Sequence, residues 1–142
     1  MKHFAATALS LVLFAAFAVS AQPSKSVDDA TAIRATVTNY IEAYYTGDAP
    51  RMAQVLHPHY MKLMLHGTIP VRQFTGSDMI GALQSGAPDM PAASKTEQVS
   101  VLDISGNIAS AKLVTPGWVD YVTLSKVDGA WKILSVVQQI ED

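Results

Sequence analysis

The strongest constraint on this chain is the pair of tight-turn signals in its C-terminal half. From Lys95 to Gln139 the apolar positions recur every second residue, as side chains do on a pleated strand. Val99, Val101 and Asp103 alternate with Ser100, Leu102 and Ile104. Gly106-Asn107 turns the chain back into Ile108–Thr115, Pro116-Gly117 breaks that run, and Trp118–Val127 is joined to Ala130–Gln139 by Asp128-Gly129. Asp-Gly between alternating runs is among the strongest short-range hairpin signals, because both central residues of the favoured turn need positive φ. Four strands joined in sequence make an antiparallel meander.

The hairpin also fixes faces. A two-residue turn at Asp128-Gly129 sets Lys126 opposite Trp131, Leu124 opposite Ile133, Val122 opposite Ser135 and Asp120 opposite Val137. One face then carries Trp118, Asp120, Val122, Leu124, Trp131, Ile133 and Val137; the other carries Val119, Tyr121, Thr123, Ser125, Lys132 and Leu134. The first is the more apolar and is expected to be covered. Asp120 thus becomes a carboxylate on the covered side, where desolvation raises its pKa and makes it a candidate general base or ligand anchor.

The N-terminal half has helical periodicity. Ser26 with Asp29 three residues on resembles a capping box, and Ile33, Val37, Tyr40, Ile41 and Tyr44 follow at helical spacing until Gly47 stops the helix. Asp48 caps a short second helix with Pro50 in its first turn and Met52, Val55 and Leu56 as its apolar face, ended by Pro58. His59–His66 reads as a short strand, Gly67-Thr68 as a turn, and Val71–Phe74 as a second apolar stretch. Ser77 or Thr75 caps a helix through Met79, Ile80 and Leu83, and Ser85–Ser94, with Gly86, Pro88 and Pro91, is loop. Helices first and a long antiparallel sheet last define an α+β domain with the helices on one face of the sheet.

Ahead of that domain, Lys2 is followed by an uncharged run from Phe4 to Phe17 and small residues at Ala18-Val19-Ser20-Ala21. This is the order of a secretory signal peptide, 1–21, with an apolar run too short for the roughly 20 residues that span a bilayer. Residues 22–27 are then a short polar leader and 28–142 the domain. The expected product is soluble and exported, to a bacterial periplasm or secreted, with no membrane attachment after cleavage. Without Lys2 the ten Lys and Arg become nine, against twelve Asp and Glu, and they are scattered; nucleic-acid binding needs a dense basic face. There is no cysteine for a disulfide, a lipid anchor or thiol chemistry.

Tyr44-Tyr45-Thr46-Gly47-Asp48 at the end of a Tyr-bearing helix, Leu56-His57-Pro58, Trp118-Val119-Asp120-Tyr121 and Leu124 through Ile133, in that order, resemble the nuclear-transport-factor-2-like (cystatin-like cone) superfamily. Within it the chain is similar to the lumazine-binding and polyketide-cyclase-like (SnoaL-like) branch, from about Asp28 to Gln139. The resemblance implies N-terminal helices packed in the concave face of a strongly curved antiparallel sheet, a conical pocket, and a homodimer formed through the sheet. It hosts isomerases, dehydratases, cyclases and non-catalytic binders, so function does not follow from fold. In the isomerase-type and dehydratase-type members a carboxylate or His base works with Tyr hydroxyls; the resemblance offers Asp120 as base and Tyr40, Tyr44 or Tyr60 as donors to a developing enolate.

His57, His59 and His66 invite a metal, but Pro58 separates the first two, and on a strand His59 and His66 point to opposite faces. His57 or His59 at the pocket mouth as a proton carrier is the more modest role. Trp118 and Trp131 can stack on a planar ligand or simply fill the curved sheet. No phosphate loop or nucleophile elbow is present, and no cofactor is expected. The leading expectation is a cofactor-free domain binding a small apolar or aromatic molecule through Tyr40, Tyr44, Tyr60, Trp118, Asp120, His57 and His59. The alternatives are an isomerase, dehydratase or cyclase with Asp120 as base, and an assembly module whose cone is filled by its own side chains.

Overall fold

The computed structural model describes residues 25–141, so the segment read as a signal peptide lies outside the described residues. Helix α1 (Lys25–Thr46) is followed by α2 (Ala49–Val55), strands β1 (Leu56–His66) and β2 (Ile69–Thr75), helix α3 (Gly76–Gln84), and β3 (Gln98–Ser105), β4 (Ile108–Thr115), β5 (Trp118–Val127) and β6 (Ala130–Ile140). One six-stranded sheet has the order β2-β1-β6-β5-β4-β3. It is curved, and it is open rather than closed. Ile33, Val37, Tyr40 and Ile41 of α1 are buried against its inner face together with Met52, Leu113, Val122, Leu124, Ile133 and Val136.

The start of α1 differs from the expected capping box. The helix already includes Lys25, so Ser26 lies inside it, and Asp29 serves the sheet instead: Lys126 Nζ and Trp131 Nε1 donate to its Oδ1 at 2.5 and 3.0 Å. Gly47 ends α1 at φ +69° because nothing larger fits. A Cβ there would stand 2.5 Å from the backbone nitrogen of Ala87. Asp48 accepts from the Arg51 N–H and caps α2 as expected, but the strand begins at Leu56, directly from the helix, and runs through Pro58. Thr75 caps α3 in a full capping box with Asp78.

The β5–β6 hairpin keeps the expected register from Val127↔Ala130 to Leu124↔Ile133, with Asp128 and Gly129 both at positive φ. A bulge at Leu134 then shifts it: Thr123 faces Ser135, Val122 faces Val136 and Asp120 faces Gln138. Val137, expected on the covered face, is 41% exposed, while Val136 is 1% exposed and takes its place. A second bulge, at Leu102, turns Ile104 rather than Asp103 toward the core. Bulges bend strands and increase their twist, which suits a sheet that wraps around a helix.

The sheet is not wholly antiparallel. Strand β1 runs parallel to β6, with Leu63 opposite Val137, so the meander β3–β6 is extended by a β1–β2 hairpin inserted the other way round. That parallel pairing brings Lys62 of β1 within reach of Asp120 on β5, two strands away.

Candidate functional site

Asp120 sits in the middle of the inner face, 0% exposed. The segment that delivers it is pinned at its start: Thr115 Oγ1 accepts from the backbone N–H groups of Gly117 and Trp118 and donates to the Trp118 carbonyl at 3.0 Å. Period two then turns Trp118 and Asp120 to the same side. Tyr40 and Tyr44, one turn apart on α1, stand over them, and Tyr44 meets Trp118 edge to face with centroids 6.0 Å apart. These four residues, all named from the sequence, line one cavity of about 440 Å³.

The cavity has an apolar wall of Ile41, Met64, Phe74, Met79 and Leu83, and a polar floor. On the floor, Lys62 Nζ donates to Tyr40 Oη at 3.3 Å and stands 4.0 Å from Asp120 Oδ1. Tyr40 and Tyr60 hydroxyls are 3.2 Å apart. Among the described residues neither oxygen of Asp120 nor Trp118 Nε1 closes a well-formed hydrogen bond, although Gln138 and the Trp118 indole stand near enough to act on the carboxylate. At the rim, the Arg72 guanidinium lies 4.5 Å from the centroid of the Phe74 ring.

Burial sets the protonation of this floor. Desolvation pushes the Asp120 carboxyl up from its ordinary value, against the opposing pull of Lys62, Gln138 and the Trp118 indole. Desolvation pushes Lys62 down, against Asp120. Tyr40 is held well above its ordinary value by burial and then by Tyr60 and Asp120; burial raises Tyr44 and Tyr60 too. The hydroxyls are therefore protonated donors. The acid and the amine are both driven toward their neutral forms.

Three expected site residues are elsewhere. Tyr60 lies behind Tyr40 and reaches the cavity only through that hydroxyl. His57 and His59 stand at the start of β1 with rings 5.5 Å apart, His59 N–H donating to His57 Nδ1, and neither lines the cavity. They sit there because β1 starts three residues earlier than the sequence suggested, at Leu56 rather than His59. Trp131 is bound to Asp29 and does not join Trp118 at the cavity. Lys62, Arg72 and Gln138 were missed. The signal for Lys62 was parity: once Tyr60 faces inward on a strand, Lys62 and Met64 follow. Gln138 was hidden by the bulge.

Residues 28–138 match the family described as Putative lumazine-binding. The chain belongs to that family. No curated protein matches it. Among solved structures it is similar to an NTF2-like protein of unknown function from Silicibacter pomeroyi DSS-3, at 17% identity and TM-score 0.68, covering 82% of this chain and 99% of that one. It is also similar to an NTF2-like protein with a cystatin-like fold from Novosphingobium aromaticivorans, at 12% identity and TM-score 0.57, covering 83% and 85%. A ketosteroid isomerase-like protein from Erwinia carotovora atroseptica SCRI1043 aligns at 12% identity and TM-score 0.60, covering 81% and 98%. At such identities the likeness is one of fold. This family member accordingly has the NTF2-like, cystatin-like fold.

Proposed function

We propose that the chain is an exported small-molecule-binding domain, whose ligand has an apolar or aromatic body and one polar end seated on Asp120. The observation that carries this reading is the cavity floor: among the described residues, two carboxylate oxygens and an indole N–H are buried there without a well-formed hydrogen bond, beside about 440 Å³ of free volume. Unpaired buried polar atoms cost free energy, and a bound donor and acceptor would relieve it. The volume lies within the roughly 300–1,000 Å³ of small-molecule sites. The family description names lumazine, and a fused bicycle with N–H and carbonyl edges is one member of the class this floor would accept. A cavity of this size argues against a cone filled by its own side chains.

Native mass spectrometry of the protein purified from its own compartment tests the reading. A retained ligand that is lost in Asp120→Asn is expected. An empty protein whose unfolding temperature no small aromatic probe raises would sink it. The same sample tests export, because the mature N-terminus should begin after Ala21. Exposed Tyr121, Val137 and Met61 on the outer face of the sheet support the homodimer, and Tyr121→Arg should then give monomers in sedimentation.

A second reading, catalysis, rests on Asp120 being raised by burial beside the Tyr40 hydroxyl. In it Asp120 removes a proton next to a carbonyl and Tyr40 donates to the enolate oxygen. Wild type and Asp120→Asn compared across a panel of small enolisable carbonyl compounds decide between the readings; turnover confined to the wild type favours the enzyme.

A further inference from the structure

Lys62 is a long amine held where such residues are rarely found. Lys normally lays its stem on apolar surface and keeps its head in water, yet here the residue is 6% exposed and its head lies on the cavity floor. Its ion pair is a poor anchor. At 4.0 Å the ammonium is beyond hydrogen-bond range of Asp120 Oδ1, and among the described residues neither carboxylate oxygen closes a well-formed hydrogen bond. Buried pairs offset their desolvation only when the geometry is tight and the remaining lone pairs are satisfied. The amine is therefore not locked to the acid. It faces free volume, with the Tyr40 hydroxyl at 3.3 Å and the Asp120 carboxyl at 4.0 Å.

We propose that Lys62 captures a carbonyl ligand, an aldehyde or ketone with an apolar body, as a Schiff base whose iminium is paired with Asp120. The inference rests on the small-molecule-binding reading above and names the chemistry of its polar end.

Every proton in the sequence can be carried by Asp120. The Lys62 ammonium passes a proton to Asp120, and the free amine adds its lone pair to the carbonyl carbon. The carbonyl oxygen takes the proton from Asp120, which then removes one from the nitrogen to leave a neutral carbinolamine. Asp120 protonates the hydroxyl, water departs with the C–O bond pair, and the nitrogen lone pair closes C=N. Ammonium and carbonyl have become iminium and water, with Asp120 again a carboxylate. No oxidant or reductant is needed, and water addition reverses the capture. Burial helps the first transfer, since desolvation lowers Lys62 and raises Asp120 toward the neutral pair.

The test uses 2-naphthaldehyde with sodium cyanoborohydride at neutral pH, followed by peptide mapping, and 2-naphthalenemethanol as the probe without a carbonyl. One reduced naphthylmethyl group per chain is expected on Lys62, at least tenfold ahead of Lys95, Lys112, Lys126 and Lys132. Lys62→Arg should lower total labelling at least tenfold while its circular dichroism stays native, and Asp120→Asn should slow labelling of Lys62. Tryptophan quenching by both probes without an adduct on Lys62 would overturn the inference and leave the binding reading intact. Neither quenching nor adduct would overturn both. Labelling spread evenly over the lysines would show an unactivated amine and also overturn it.

Discussion

Burial of the Asp120 carboxyl is expected to destabilise the fold at neutral pH, and the sign follows from the direction of its shift. Its carboxyl is raised in the folded chain above the ordinary 3.8. Below that value both states hold the proton and there is no penalty; as pH rises through the folded value the unfolded state gains by ionising first. Urea unfolding from pH 4 to 7 should therefore show wild type losing stability relative to Asp120→Asn, and the opposite trend would mean that the attraction of Lys62 outweighs desolvation. Lys62 is the mirror case, lowered from 10.5, so its penalty sets in as pH falls below that value. Replacing both, as Lys62→Met with Asp120→Leu, should leave the fold as stable as wild type or up to about 4 kcal/mol more so, while Lys62→Met alone costs about 3 kcal/mol by orphaning Asp120. A double-mutant cycle in urea measures both. At this scale the sequence disclosed the acid and concealed the amine. Asp120 stood on a strand whose hairpin turn fixed its face, whereas Lys62 depended on a strand with no adjacent turn partner to β6 and on a residue type that is rarely buried.

Elements were legible where a local device sets them and illegible where tertiary packing does. Asp128-Gly129, Gly106-Asn107, Gly47, Asp48 and Thr75 each act within a few residues, and each turn or helix end stands where they put it. The bulges at Leu134 and Leu102 carry no Gly or Pro, and alternation alone predicted the wrong parity beyond them. The parallel β1–β6 pairing joins residues some seventy apart, and no local pattern encodes it. Gly47 offers a test of how much one such device carries. Gly47→Ala must accept both a left-handed backbone, about 1–2 kcal/mol, and a Cβ 2.5 Å from Ala87 N. Gly67 has φ +60° with nothing within 4 Å, so Gly67→Ala isolates the backbone cost. The expected result in thermal unfolding is a loss at Gly47 exceeding that at Gly67 by at least about 1 kcal/mol. Equal losses would mean that the 86–87 loop yields freely.

At the scale of the whole molecule, the core and the cavity overlap at Tyr40, Ile41, Met79 and Leu83, but much of what holds the fold lies away from what meets a ligand. The core of α1 against β4, β5 and β6 is packed by Ile33, Val37, Leu113, Leu124 and Ile133, none of which touches the cavity. The cavity lies where the end of α1 and strands β5 and β6 meet α3 and the β1–β2 hairpin, the part of the sheet joined through the parallel pairing. A ligand there bridges the two parts, and one present at 100 times its Kd would stabilise the fold by about 2.7 kcal/mol. Ala82, on the exposed side of α3 and at the cavity wall, is where the two functions can be separated. Ala82→Trp puts a large ring into the cavity without removing a core side chain, so intrinsic stability should stay within about 0.5 kcal/mol of wild type. Ligand-induced stabilisation should disappear, and any retained molecule should vanish from the native mass spectrum. An Ala82→Trp protein that still gains stability from the same probe would place the binding site outside the cone, and with it the roles assigned to Asp120 and Lys62.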